Sequence, residues 1–368
     1  MAHPYEMPAV LAAWSGSLTP RFCEYLENAG GFSGAKFWKI GSQIGTFCLR
    51  RWPQEHPSPE RLTWIHAVIE HAAQQGNIPL AVALRTDSGN TFAQHEGHLW
   101  ELTPWLPGKP FDFTQRDSPG MGERLLDNML YDASRLQQTY RRVSAAFRAL
   151  AKFHKATESF LASHAASSRW GISPTINERW NRIQSVNVTQ LALLRTAVLK
   201  SNYWPRIAPL ALEMIHLVPH SLARVFRQVE PCLTHEVALQ PCLRDIWGEH
   251  ILFTGEEVTG LIDYGAMRIE NVAADFARLM GNVSGDLERR WTIGRHAYEV
   301  ARWECFSAHE WQLVQAFDAT QVVFSGLNWI EWIFVQQREF PDMQSIERRM
   351  QTILARLRHR VNGPDQLR

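Results

Sequence analysis

From Ala35 to about Thr103, apolar and polar residues alternate in short runs, the two-residue period of half-buried strands. AKFWKI and TFCLRRW are the first such runs, separated by the turn-former GSQIG; LAVALRT, TFAQHE and HLWELTPW continue the pattern, with SGN and EG marking tight turns. One helix interrupts them. Ser58 supplies an N-cap and Pro59 a first-turn proline before RLTWIHAVIEHAAQQ, and Gly76 is its stop. Two or three strands, one helix and further strands predict a small α+β lobe, and WLPGKPF (105–111) is its exit.

Beyond Pro119 the period changes. Apolar residues recur at three and four spacings through MGERLLDNMLYDASRL, YRRVSAAFRALAKFHKATESFLASH, ERWNRIQSVNVTQLALLRTAVLK, HSLARVFRQV, RWTIGRHAYEVARW and SIERRMQTILARLRHRV, which predicts helices. The exception is LRDIWGEHILFTGEEVTGLIDYG (243–265), where ILF and VTGLID flank the turn TGEE as a β-hairpin. The expected fold class is α+β with two lobes: a sheet-rich N-lobe over 1–105 and a helical C-lobe over 106–368 that carries one buried hairpin.

Composition narrows the function classes. At 368 residues, 45% hydrophobic and 20% charged, the chain suits a soluble two-lobed protein with a sizeable core. A net charge of +1 gives no long-range field toward nucleic acid or an anionic membrane. No apolar run approaches the ~18 residues of a membrane helix, and the start MAHPYEMPAVLAAWSGS lacks the order of a secretory signal. The 5 cysteines are scattered and contain no CxxC, which points to the reducing cytoplasm. Zinc-finger spacing, a G-x-S-x-G elbow and G-x-x-x-x-G-K-[ST] are all absent.

The hairpin carries the chemistry. Phosphoryl transfer needs a group that orients the attacking hydroxyl and a cation clamp on the phosphates. Asp245 precedes ILF and Asp263 ends VTGLID just before Tyr264-Gly265, so the hairpin returns both carboxylates to one edge of a cleft. In isolation two loop aspartates read as turn and cap formers. Here the hairpin, Asp-Tyr-Gly and the helix AADFARLMG follow in order.

Leu243-Arg244-Asp245, His250, Ile262-Asp263-Tyr264-Gly265 and Asp275-Phe276-Ala277 together resemble the core of the aminoglycoside phosphotransferase and choline kinase superfamily, whose fold is similar to that of protein kinases. The resemblance implies that Asp245 is the catalytic aspartate, Asp263 the main metal ligand and Asp275 a brace for the catalytic loop. It extends over about 28–281 and implies ATP and Mg²⁺ as cofactors, with the hydroxyl of a small molecule (an amino-alcohol, a sugar or an aminoglycoside-like compound) as acceptor. Gly30, Gly31, Ser33 and Gly34 become a flexible phosphate-covering loop. Cys48 and Arg50 share one strand face, so that Cys48 roofs the adenine and Arg50 reaches phosphate while Arg51 points away. Thr103, Pro104 and Trp105 become the hinge beside the base, where Pro104 offers only its carbonyl. His154 lies on the helix resembling the family's Leu-x-x-x-His segment, where a satisfied buried contact is the simpler role.

The departures define alternatives. The family pattern has His where Leu243 stands, Asn where His250 stands and Lys where Arg50 stands. Imidazole is a poor ligand for Mg²⁺ but acceptable to Mn²⁺, so His250 is either a metal ligand favouring Mn²⁺ or a structural hydrogen-bonding residue, with Glu249 as an alternative oxygen donor. The glutamate that normally pairs with the lysine falls near His66, flanked by Glu60 and Glu70, and has no evident equivalent. A nucleotide-binding scaffold that has lost transfer is the rival reading. A protein-directed kinase fits poorly because the stretch between Gly265 and Asp275 is short. Trp329 and Trp332, three apart around Glu331, suit either an ammonium-binding cage or core packing, and the basic stretch ERRMQTILARLRHR reads as the solvated face of a closing helix.

Overall fold

The alternating runs become a five-stranded antiparallel sheet in the order β1-β2-β3-β5-β4, built from β1 (Pro20–Tyr25), β2 (Lys36–Ser42), β3 (Gly45–Arg51), β4 (Ala93–His95) and β5 (His98–Pro104). The structure is a computed structural model and describes residues 9–27, 34–111, 125–163, 169–201, 204–283, 287–340 and 342–362. Ile40, Phe47, Leu49 and Leu102 bury one face of this sheet beneath Trp14, the end of a 3₁₀ turn at Ala9–Trp14. The turn and β1 lie outside the runs that sequence periodicity singles out.

One expected strand is absent. In LAVALRT only Leu80 forms a bridge, to Leu261, and Leu84 N–H donates to the Leu102 carbonyl at 2.8 Å. The N–H groups of Ile78, Leu80 and Val82 each donate to the carbonyl two residues back, at 3.0, 2.9 and 3.2 Å. These serial tight turns consume the donors that a ladder would need.

Helix α1 (Pro59–Gln75) starts as its sequence dictates, with Ser58 Oγ accepting the Arg61 N–H and Pro59 in the first turn. Its buried face of Ile65, Val68, Ile69 and Ala72 joins the same apolar core as Val143, Phe147 and Leu150 of α2 (Leu125–Thr157). The two helical segments expected around this region are therefore one helix. The C-terminal part continues with β6 (Lys109–Pro110), α3 (Phe160–Ser163), β7 (Trp170–Ile172), α4 (Pro174–Ser185), α5 (Val188–Lys200) and α6 (Ala208–Val229). It then runs through β8 (Glu236–Ala238), β9 (Gln240–Cys242), β10 (Ile251–Thr254), β11 (Glu257–Leu261) and β12 (Arg268–Glu270) to α7 (Ala273–Met280) and α8 (Leu287–Arg302). The last helices are α9 (Ala308–Ile330) and α10 (Met343–Asn362).

The expected hairpin is β10–β11, turning at Gly255 with φ 64°, and β6 pairs with its outer side. β9 pairs antiparallel with β12, Cys242 opposite Arg268, so the loop that follows β9 and the one that precedes β12 are held side by side.

The basic C-terminal stretch differs from expectation. Arg356 and Arg360 turn inward and both pair with Asp318 of α9, a carboxylate that is itself buried. Arg358 binds Glu213 of α6 in a two-pronged contact at 2.6 and 2.6 Å. A buried acid between two buried guanidiniums must be matched, because removing one partner of a buried pair typically costs about 3–5 kcal/mol. Asp318→Ala is therefore expected to lower unfolding stability by about that much. Urea unfolding followed by tryptophan fluorescence checks it, and Arg358→Ala, an exposed pair, is the weak control.

Candidate active site

The loop that carries Asp245 is positioned from beneath. Asp275 of α7 is fully buried and accepts hydrogen bonds from the N–H groups of Leu243 and Arg244, at 2.6 Å each, and from His154 Nε2 at 3.0 Å. His154 Nδ1 in turn accepts from the Tyr298 hydroxyl at 2.6 Å, which fixes the Nε2–H tautomer in the neutral ring. Burial pushes the His154 imidazole below its ordinary pKa, against the pull of Asp275. His154 is thus a satisfied buried contact, and the expected bracing role falls to Asp275. Because Leu243 contributes its backbone N–H, the missing histidine side chain leaves the brace intact.

Two residues beside this brace adopt the left-handed region: Arg244 at φ 70° and Asp263 at φ 63°. For residues with side chains such backbone costs of order 1–3 kcal/mol and persists where the surroundings over-determine it. Arg244 is held by Glu270 at 2.8 Å and Glu178 at 3.3 Å. Glu270 is fully buried and also accepts from Thr175 N–H at 2.8 Å and from the Ser173 and Thr175 hydroxyls.

The two aspartates meet through His250. Its Nδ1–H donates to the Asp245 carbonyl at 2.7 Å, and its Nε2 stands 3.7 Å from Asp263 Oδ2. Asp263 Oδ1 receives Arg50 at 3.1 Å. Burial opposes ionisation of Asp263, but the Arg50 and His250 charges and the hydrogen bond from Arg50 outweigh it, so the carboxyl is held below its usual range. Asp245 Oδ1 takes the Arg278 guanidinium and the Trp247 indole N–H, both at 2.5 Å, and Oδ2 has no hydrogen bond among the described residues.

Arg50 also solves the missing ion pair. Its register partner on β5 is Glu101, whose carboxylate lies 3.9 Å from Arg50 and 2.6 Å from His66 Nε2 on α1. His66 Nδ1 bonds Thr91 at 2.8 Å. The carboxylate has moved from helix to strand, and a histidine fills the helix position. Glu70 pairs instead with Arg85 at 2.8 Å. The lone acid within HLWELTP is the signal that could have located Glu101, since nothing apolar explains it.

A cavity of about 460 Å³ lies between the sheet and the hairpin, lined by Cys48, Arg50, Thr103, Pro104, Trp105, His250 and Asp263 among the expected residues. Its size falls within the range of small-molecule sites. Arg51 points away, over Trp100. Asp245 is half-exposed and lies outside the cavity's lining, joined to it through the contact of its carbonyl with His250. Gly30, Gly31 and Ser33 lie outside the described residues; Gly34 is described, with φ 71°, and lies outside the lining. The hinge needs one correction. Trp105 N–H is already donated to the Thr46 carbonyl at 2.9 Å, so in this segment the Leu106 N–H, also at the cavity, is the donor left beside the Pro104 carbonyl.

The profile of the phosphotransferase enzyme family (APH) matches residues 24–309. The chain belongs to this family. The phosphotransferase also shares its fold with solved structures, at low identity. An aminoglycoside phosphotransferase from Alicyclobacillus acidocaldarius superposes at TM-score 0.57 with 17% identity over 98% of each chain. Spectinomycin phosphotransferase APH(9)-Ia, bound to ADP and spectinomycin, gives 0.60 with 10% identity over 95% of this chain and 96% of its own. A microcompartment-associated aminopropanol kinase gives 0.58 with 11% identity over 98% and 97%. No curated protein sequence matches the chain.

The His154 brace gives the phosphotransferase a pH dependence. Its folded pKa lies below the unfolded value of about 6.5, so the unfolded state binds the proton first and stability is lost as pH falls below about 6.5. The slope is at most about 1.4 kcal/mol per pH unit. Urea midpoints between pH 7.5 and 5 are expected to fall in the wild type and to fall less steeply in His154→Gln.

Proposed function

We propose that this phosphotransferase moves the γ-phosphate of ATP to a hydroxyl of a small molecule. The carrying observation is that His250, which with Asp263 lines a cavity the size of a small-molecule site, contacts the backbone carbonyl of Asp245 at 2.7 Å and the Asp263 carboxylate at 3.7 Å. In this reading Asp245 orients the acceptor hydroxyl with its free Oδ2 and accepts its proton. Arg50 and the loop of Gly30, Gly31, Ser33 and Gly34 position the phosphates, and Cys48, the Pro104 carbonyl and the Leu106 N–H hold the base. Positioning and charge neutralisation supply most of the rate in such transfers. We set the division between the lobes at 105/106. The free thiols of all 5 cysteines suit a reducing compartment such as the cytoplasm, and no helix among the described residues is long and apolar enough to cross a membrane.

Divalent metal fits the residues present. With Nδ1 directed to the Asp245 carbonyl, His250 presents Nε2 to the Asp263 carboxylate, 3.7 Å away, so an imidazole nitrogen and a carboxylate oxygen face one point beside the cavity. Asp263 and His250 would hold the metal, and it would neutralise charge on the transferring phosphates. An N,O donor pair suits Mn²⁺ better than Mg²⁺. The scaffold reading has less support, since the Leu243 substitution leaves the brace whole.

Asp245→Asn is expected to lower kcat by about 10²–10⁴-fold while the ATP-induced thermal shift stays unchanged; coupled ADP release over a hydroxyl-compound panel measures it, and undiminished turnover would remove Asp245 from its role. His250→Asn is expected to lower the Mn²⁺ to Mg²⁺ activity ratio about tenfold, following ligand preference. A constant ratio would make His250 a purely structural residue.

A further inference from the structure

Near Asp245, outside the lining of the cavity, several arginines gather. Arg278 of α7 and Arg349 of α10 lie over the same indole, Trp247, at 3.7 and 5.5 Å. Arg179 and Arg182, one turn apart on α4, lie over the same ring, Phe324, at 5.3 and 4.3 Å. Arg244 precedes Asp245 itself. Arg278 contacts the proposed base directly, Arg349 shares its indole, and Arg179 lies near enough to Arg278, Arg182 and Arg244 to feel their charges.

Their carboxylate partners are fewer. Arg278 uses Asp245, Arg349 uses Glu249 at 2.8 Å, and Arg244 uses Glu270 and Glu178, the latter shared with Arg268. Arg182 donates to the neutral amide oxygen of Asn328. Arg179 makes no hydrogen bond or ion pair among the described residues. It is half-buried, and burial together with Arg278, Arg182 and Arg244 pushes its pKa down to about 9. The Glu178 charge opposes that shift at Arg179 and Glu331 acts likewise at Arg182, but neither carboxylate forms an ion pair with these guanidiniums among the described residues, which leaves both able to receive an anion.

The two features that would favour a cationic acceptor are spent elsewhere. Trp329 is buried against Trp332 and Phe340, at 5.2 and 5.4 Å between ring centres, with the Arg349 guanidinium over its face. Arg338 lies over Trp332 at 5.2 Å. Guanidiniums already occupy the positions where an ammonium would sit.

The geometry points to an anionic acceptor, a hydroxyl compound carrying a carboxylate or phosphate group that Arg179 and Arg182 grip while its hydroxyl faces Asp245. This rests on the phosphotransferase reading and names the substrate class for the same site. The acceptor oxygen forms a bond to the γ-phosphorus, the bond from that phosphorus to the β–γ bridging oxygen breaks, ADP leaves, and the hydroxyl proton passes to Asp245. The anion also offers Arg278 a second partner, which loosens its hold on the carboxylate that must take the proton.

Matched probes test it: glycerol, glycerate, glycerol 3-phosphate and 1-amino-2-propanol, titrated calorimetrically into the full chain with ADP and Mn²⁺. At least one anion is expected to bind tenfold or more tightly than glycerol and the amine, and the two anions between them tell carboxylate from phosphate. R179Q/R182Q should abolish that preference, R179K/R182K should keep part of it, and both should keep the ATP-induced thermal shift. Equal or tighter binding of the neutral or cationic probe, no binding of either anion at millimolar concentration, or a preference that survives R179Q/R182Q overturns the inference. Failure of the phosphotransferase reading shows separately, as loss of any thermal shift with ATP and either metal.

Discussion

Three N–H groups converge on one buried carboxylate, Asp275, and the reacting side of the molecule is arranged from that point. A hydrogen bond to a charged group contributes about 1.5–3 kcal/mol, and an unmatched buried carboxylate would cost at least as much. Because the donors come from α2 and from two consecutive residues of the loop, satisfying Asp275 sets both the height and the direction of that loop. The left-handed turn at Arg244 then follows, and the carbonyl of the next residue, Asp245, meets His250 of the cavity lining.

Above that platform the charges form a relay rather than isolated pairs. Asp263 is shared by Arg50 and His250, and Glu101 by Arg50 and His66. Arg50 also lies 3.4 Å from the centre of the Trp52 ring, a stacked contact that guanidinium makes better than ammonium does. Arg50, His66 and Glu101 are thus held as one buried network, in which each charge has its partner.

Much of this was legible in the chain. Alternation over AKFWKI and TFCLRRW located β2 and β3, and the Ser58–Pro59 start located α1, because both signals are local. The hairpin with its flanking aspartates was equally readable. The serial turns between Ile78 and Val82 were not, since backbone donors spent two residues back leave no trace in side-chain pattern. Glu101 was missed because its meaning depends on strand register, and Arg356 and Arg360 because helical spacing shows which side chains share a face but not that a buried acid awaits them. The arginine crowd around Asp245 comes from segments far apart in sequence, and only the tertiary fold brings it together.

The burial of α1 carries a last consequence. Protein kinases throttle themselves by swinging the corresponding helix outward, which breaks a lysine–glutamate contact. Here Ile65, Val68, Ile69 and Ala72 are sealed into the apolar core shared with α2, and the helix offers a histidine to a strand-borne acid. Moving such a lever would break that core contact, so the position of the helix is tied to the packing of α2.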